Sequence, residues 1–93
     1  MYKYTPEERL IIDKMLSWQV CAACQCGCMY LQPAHVKTVG SGGKHKHNVL
    51  PFCPNCHDAQ HKMGIITFQA QMKIDMSSLA ITIWNTAEEA VRV

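Results

Sequence analysis

The chain has 93 residues, 17% of them charged, and a formal net charge of +2. A chain of this length makes one small domain whose core is only marginally self-sustaining, so a disulfide framework, a metal or a partner is expected to help. No apolar run approaches the ~20 residues needed to cross a bilayer, and MYKYTPEERL lacks the charged-then-apolar pattern of a secretory leader.

The expected setting is therefore cytoplasmic. There the six cysteines stay reduced, and paired Cys-x-x-Cys more often means metal than disulfide. Charge is unevenly spread. Between Gln32 and Met63, Lys37, Lys44, Lys46 and Lys62 oppose a single acid, Asp58, while the remainder of the chain is slightly acidic. A basic segment suggests a local anionic partner, nucleic acid being the commonest, with a solvated lysine-rich loop as the plain alternative.

Taken in order, Thr5-Pro6-Glu7-Glu8 opens a helix. The Thr5 hydroxyl caps a backbone N–H, Pro6 sits where a missing N–H costs nothing, and Glu8 completes a capping box. The helix is predicted from about Pro6 to Ser17, with Leu10, Ile11, Met15 and Trp18 on a buried face. Cys21-Ala22-Ala23-Cys24 then has the two-residue gap of a zinc knuckle, a tight turn that aims two thiolates at one ion. Cys26 and Cys28 are additional: small buried residues, alternative ligands or exposed thiols, with inert thiols favoured.

Leu31 to Thr38 reads as an extended segment with Pro33 marking its edge. Gly40-Ser41-Gly42-Gly43-Lys44-His45-Lys46-His47 reads as a flexible basic loop, whose glycines would let backbone approach a phosphate while the lysines hold it. An ordinary hairpin loop has the same glycines. Asn48 to Phe52 resumes an extended run into the second knuckle, Cys53-Pro54-Asn55-Cys56. Two such pairs in one reduced chain predict structural zinc on Cys21, Cys24, Cys53 and Cys56.

His57 and His61 follow four residues apart on a helix predicted from about Pro54 to Lys62 and stopped near Gly64, so both imidazoles can meet one ion. Ile65 to Met72 is expected as a short helix. Asp75 should cap a last helix from Met76, with Met76, Leu79, Ala80, Ile83, Ala87 and Val91 as its apolar stripe. That stripe is core first, and a dimer face second.

Pro33-Ala34-His35, Gly40-Ser41-Gly42-Gly43, Asn48 and Cys53-x-x-Cys56-His57-x-x-x-His61 together resemble the HNH endonuclease family, in particular its small zinc-braced members of phages and prophages. The resemblance spans about Cys21 to Phe68. It implies an α+β fold built on a ββα-metal (His-Me finger) core with a four-cysteine zinc site: two antiparallel strands, a loop, and a helix carrying metal ligands. Residues 1–93 would form one nuclease domain, with an N-terminal helix (1–20), zinc knuckles and ββα-metal core (21–64) and a C-terminal helical buttress (65–93).

By the same resemblance His35 is the general base. Asn48 holds the loop that orients His35, or in some members reaches the metal. His57 is a catalytic metal ligand and His61 a second. Lys37, Lys44 and Lys46 would contact DNA phosphates, giving low sequence specificity. Many members carry His or Asp directly before the base as a ligand, where this chain has Ala34. Asn48, water or substrate phosphate would then complete the shell, with Gln32 a weaker neighbouring amide.

The implied cofactors are a structural Zn2+ and a catalytic divalent ion, Mg2+, Mn2+, Ni2+ or Zn2+. The implied setting is the bacterial host cell or a phage-encoded product. The implied partner is DNA, without membrane, as a homodimer or within a larger phage assembly. The chemistry suits these residue types. Hydrolysis of a phosphodiester needs a base near neutral pKa and a cation for the charge building on oxygen. The expected activity is nicking or double-strand cleavage. The principal alternative is a catalytically inactive, zinc-braced nucleic-acid-binding module, and a further one is a structural zinc domain acting on a protein partner.

Overall fold

The computed structural model describes residues 4–37 and 44–92. The expected glycine loop, Gly40-Ser41-Gly42-Gly43, and the Thr38 end of the expected extended segment lie outside the described residues. The elements are α1 (Pro6–Ser17), β1 (Gln32–His35), β2 (Val49–Phe52), α2 (Pro54–Met63), α3 (Ile65–Met72) and α4 (Met76–Val91). Among the described residues this is a small α+β arrangement of two antiparallel strands and four helices.

Helix starts follow local chemistry. Glu8 N–H donates to Thr5 Oγ1 at 3.1 Å, and Thr5 N–H donates to Glu8 Oε1 at 2.8 Å, a complete capping box worth about 1 kcal/mol at the Thr5 cap. Cys53 is the N-cap of α2: its Sγ accepts from Cys56 N–H at 3.4 Å, ahead of Pro54 in the first turn. Asp75 Oδ1 accepts from Ser78 N–H at 3.1 Å and caps α4. Gly64, at φ 86° and ψ 156°, ends α2 and starts α3, a backbone conformation that side-chain-bearing residues rarely adopt.

The strands pair Gln32 with Phe52, Pro33 with Pro51, Ala34 with Leu50 and His35 with Val49. Pro33, expected at the strand's edge, instead lies inside it, opposite a second proline. Pro51's carbonyl points away from β1 and accepts from Ala22 N–H at 2.8 Å. The facing prolines thus occupy a pair that exchanges no ladder bonds, and neither missing N–H is needed. The same bond ties the first cysteine turn to β2. The expected extended span from Leu31 to Thr38 shortens to Gln32–His35 as strand.

Two apolar clusters meet on β2. One gathers Leu50, Phe52, Ala34, Phe68, Met76 and Ala80 around the cysteine turn; the other gathers Val49, Ile11, Ile12, Met15, Trp84 and Ala87 between α1 and α4. Leu10 and Trp18, expected on the buried face of α1, are 60% and 38% exposed. The face that packs is Ile11, Ile12 and Met15, and Trp18 already lies beyond the last turn at the C-cap. On α4 the stripe is Met76, Ala80, Trp84 and Ala87, with Leu79, Ile83 and Val91 only partly covered. Trp84, absent from the expected stripe, heads the fully buried large side chains.

Candidate functional site

The cysteine centre forms where three segments meet. Val20 and Gly27 bridge as short antiparallel partners, and the turn between them is closed by Cys21 N–H to Cys26 O at 3.0 Å and Gln25 N–H to Cys21 O at 2.9 Å. Gln25, just after Cys24, takes φ 61° to turn the chain back. The second pair stands at the first turn of α2. Sγ atoms of Cys21, Cys24, Cys53 and Cys56 all lie within 4.8 Å of one another. A tetrahedral ion with sulfur at about 2.3 Å separates its ligands by roughly 3.8 Å, so the cluster fits a structural zinc.

Protonation in the cluster points the same way. Burial pushes the Cys21 thiol up, but backbone hydrogen bonds from Cys24, Cys53 and Ala23 outweigh it and draw it from 9.0 to about 7. Cys56 is driven up by burial first, then by its contact with Cys53 and the charge of Cys21. One thiolate thus suppresses the next, and a divalent cation relieves that repulsion by holding all four as thiolates. Cys26 and Cys28 stand outside this cluster. Cys26 is exposed, and Cys28 Sγ donates to Tyr30 O at 3.1 Å.

Next to the cysteines, α2 carries the histidine pair. His57 Nε2 and His61 Nε2 are 3.0 Å apart. Two imidazole nitrogens bound to one ion at about 2.0–2.1 Å lie roughly 2.9–3.4 Å apart, so the bite matches a shared cation. On its other side His57 Nδ1 is 2.8 Å from Gln32 Oε1. A carbonyl oxygen can only accept, so His57 carries its proton on Nδ1 and turns the Nε2 lone pair toward His61. Burial first, then His61, holds the His57 pKa below 6.5, against a small opposing pull from Asp58.

His35 faces the same groove. A cavity of about 570 Å³ is lined by His35, His57, Gln60 and His61, with Pro33 and the apolar Met63, Ile65 and Ile66 among its walls. Burial, and then the charges of His45 and His57, lower His35 from 6.5 to about 4, so it is neutral at pH 7. Its Nε2 is 3.3 Å from His45 Nδ1. Gln60, between His57 and His61 on α2, is 5% exposed, and its Oε1 has no hydrogen-bond partner among the described residues.

Asn48 is 7% exposed and fastens the hairpin end. Its Oδ1 accepts from Lys37 N–H and its Nδ2 donates to Lys37 O, both at 2.8 Å, so the side chain imitates a paired strand residue. It fixes the backbone two residues beyond His35. Ala34, directly before His35, is wholly buried in the core and supplies nothing to the groove.

The three sequence-predicted lysines come together separately. Lys37, Lys44 and Lys46 line a second cavity of about 550 Å³ with His47, Asn48 and Ser77. Among the described residues none of the three is taken by an ion pair, whereas Lys62 is held by Asp58 at 3.0 Å. His47, at φ 59°, reaches α4 through Nε2 to Asn85 Oδ1 at 2.8 Å and so anchors this rim.

Every predicted site residue therefore falls in one of three places: the sulfur cluster, the histidine groove with its Asn48 brace, or the lysine cavity. Sequence reasoning weighs Gln32 only as a weak ligand and misses its bond to His57; it gives His45 no role. Comparison with protein-family models, with curated proteins and with solved structures finds no match to this chain.

Proposed function

We propose that this chain is a metal-dependent endonuclease of HNH type, hydrolysing DNA phosphodiester bonds on a ββα-metal core. The observation that carries the reading is the convergence of His57 Nε2 and His61 Nε2 at 3.0 Å in one groove with a neutral His35. A divalent ion held by the His57 and His61 nitrogens would offset the charge building on the phosphate and the leaving oxygen.

His35 takes the proton of the attacking water; its pKa of about 4 keeps it uncharged at pH 7 but makes it a weaker base than the near-neutral imidazole expected from the sequence. Gln32 keeps the Nε2 lone pair of His57 in place, and Asn48 fixes the strand end that carries His35. The cavity of Lys37, Lys44 and Lys46 suits a phosphate backbone, which carries no base identity, and so fits low sequence preference.

Supercoiled plasmid is the test, incubated after chelation with Mg2+, Mn2+, Ni2+ or Zn2+ restored singly, beside His35→Ala. The expected result is relaxed circles that need metal and disappear in the variant. Cleavage that survives His35→Ala, or none with any ion, overturns the reading. The second reading, a binding module without turnover, draws on Ala34: buried in the core, it leaves two side-chain imidazoles where three ligands would hold an ion better. That reading expects undiminished DNA binding with no nicking at all.

A further inference from the structure

His45 faces the proposed base without facing the groove. It is half-buried, is not among the residues lining the His57 and His61 cavity, and sets Nδ1 at 3.3 Å from His35 Nε2. Its own placement is firm. His45 O accepts from Asn48 N–H at 3.1 Å, and Asn48 in turn grips Lys37, so both histidines hang on the same asparagine. Tyr4 closes the group from the other side: its ring meets His45 edge-on at 4.5 Å and lies parallel to His35, 3° apart in tilt with centroids at 6.4 Å. Tyr4 itself packs on the cluster between α1 and α4.

Where two imidazoles meet nitrogen to nitrogen, one proton lies on the line between them, so the tautomer of one sets the tautomer of the other. Were His45 the donor, His35 would carry its only proton on Nδ1 and have its lone pair spent on the contact. With His45 accepting, His35 is Nε2–H and its lone pair lies on Nδ1.

We infer that His45 is a positioning residue for His35: it accepts from His35 Nε2–H and thereby keeps the His35 lone pair on Nδ1, where a base needs it. The inference rests on the nuclease reading above. The proton count is simple. Water gives a proton to His35 Nδ1, and the resulting imidazolium keeps its Nε2–H on His45, the orienting part a third group plays behind a catalytic base.

The experiment uses the full zinc-loaded chain with whichever ion supports nicking. His45→Phe keeps a ring against Tyr4 and removes the nitrogen, while His45→Asn places an amide oxygen near the lost Nδ1. Expected are a kcat lower by about 10–100-fold in His45→Phe, the usual cost of losing an orienting partner, with KM and zinc content unchanged, and recovery of most of that loss in His45→Asn. Nitrogen NMR of the imidazoles gives a readout apart from turnover: His35 should be a single Nε2–H tautomer in the native chain and a mixture in His45→Phe. An unchanged kcat in His45→Phe, or His35 found protonated at Nδ1, overturns the role of His45 alone. A native chain that nicks nothing with any ion overturns the nuclease reading and this role with it.

Discussion

The bond between Gln32 and His57 offers the most direct measurement of the histidine centre. Gln32→Leu keeps a similar volume on β1 and removes the acceptor that holds His57 at 2.8 Å. Without it the ring loses its preferred tautomer and part of its orientation, and the Nε2 lone pair is no longer assured. Loss of such an outer partner costs 10–100-fold in metal affinity, or about 1.4–2.7 kcal/mol. The lower end is near the net worth of one hydrogen bond, so a tenfold loss is the minimum expected.

Gln32→Glu acts in the opposite sense. A carboxylate accepts more strongly from Nδ1–H and raises the basicity of Nε2, so it should bind the ion more tightly than the native chain. Isothermal titration of Mn2+, Ni2+ or Zn2+ at one fixed pH, into protein whose cysteine site is already loaded, measures the native chain and both variants. Gln32→Leu within twofold of the native affinity, or Gln32→Glu weaker than Gln32→Leu, would show that the bond does not tune a metal ligand.

Stripping the cysteine site with a strong chelator should abolish the cooperative thermal transition followed by circular dichroism, because structural zinc contributes on the order of 10 kcal/mol in small zinc domains; an unchanged melting curve would mean the four thiols hold no structural ion. Lys37→Ala, Lys44→Ala and Lys46→Ala should each flatten the log–log salt dependence of DNA affinity by about 0.9, the share of one phosphate contact, and a slope that stays the same places the phosphates elsewhere. His35 ties stability to pH. Its folded pKa of about 4 lies below the ordinary 6.5, so the unfolded chain binds the extra proton, and the contribution present above pH 6.5 is lost as pH falls toward 4. Stability from denaturant unfolding between those limits should therefore fall more steeply for the native chain than for His35→Ala; parallel curves would deny the burial of His35.

What the sequence reveals is whatever its neighbours along the chain determine. The Thr5 box, the Asp75 cap and the Gly64 stop are local signals, and α1 and α4 begin, and α2 ends, where those residues say. The four-residue step from His57 to His61 is likewise a property of one helix. Asn48 reads as the brace of the hairpin end only through the family resemblance, and its two bonds to Lys37 span a distance that only the pairing of β1 with β2 closes.

Contacts between separate elements are not legible. Gln32 reaches His57 across 25 positions and His47 reaches Asn85 across 38, and nothing in either local pattern announces the partner. Trp84 escapes for a related reason: the stripe of α4 is counted through smaller residues, while the room for the largest ring is made by α1 and β2.

The two candidate metal centres are not independent, because one helix carries half of each. Successive residues on a helix turn by about 100°, so Cys56 and Gln60 share a buried stripe while His57 and His61, one step on, share the stripe beside it. The cysteine centre fixes the first turn of α2 through Cys53 and Cys56, and the groove takes the imidazoles of the next turn. Gln32 supplies the cross-link from β1 that stops the helix from rolling about its axis. Ordering by the sulfur cluster therefore supports the helix turn that brings His57 Nε2 and His61 Nε2 to 3.0 Å. A centre assembled from two imidazoles gains most from such rigidity, since each ligand it lacks must be made up by how little the others have to move when the ion arrives.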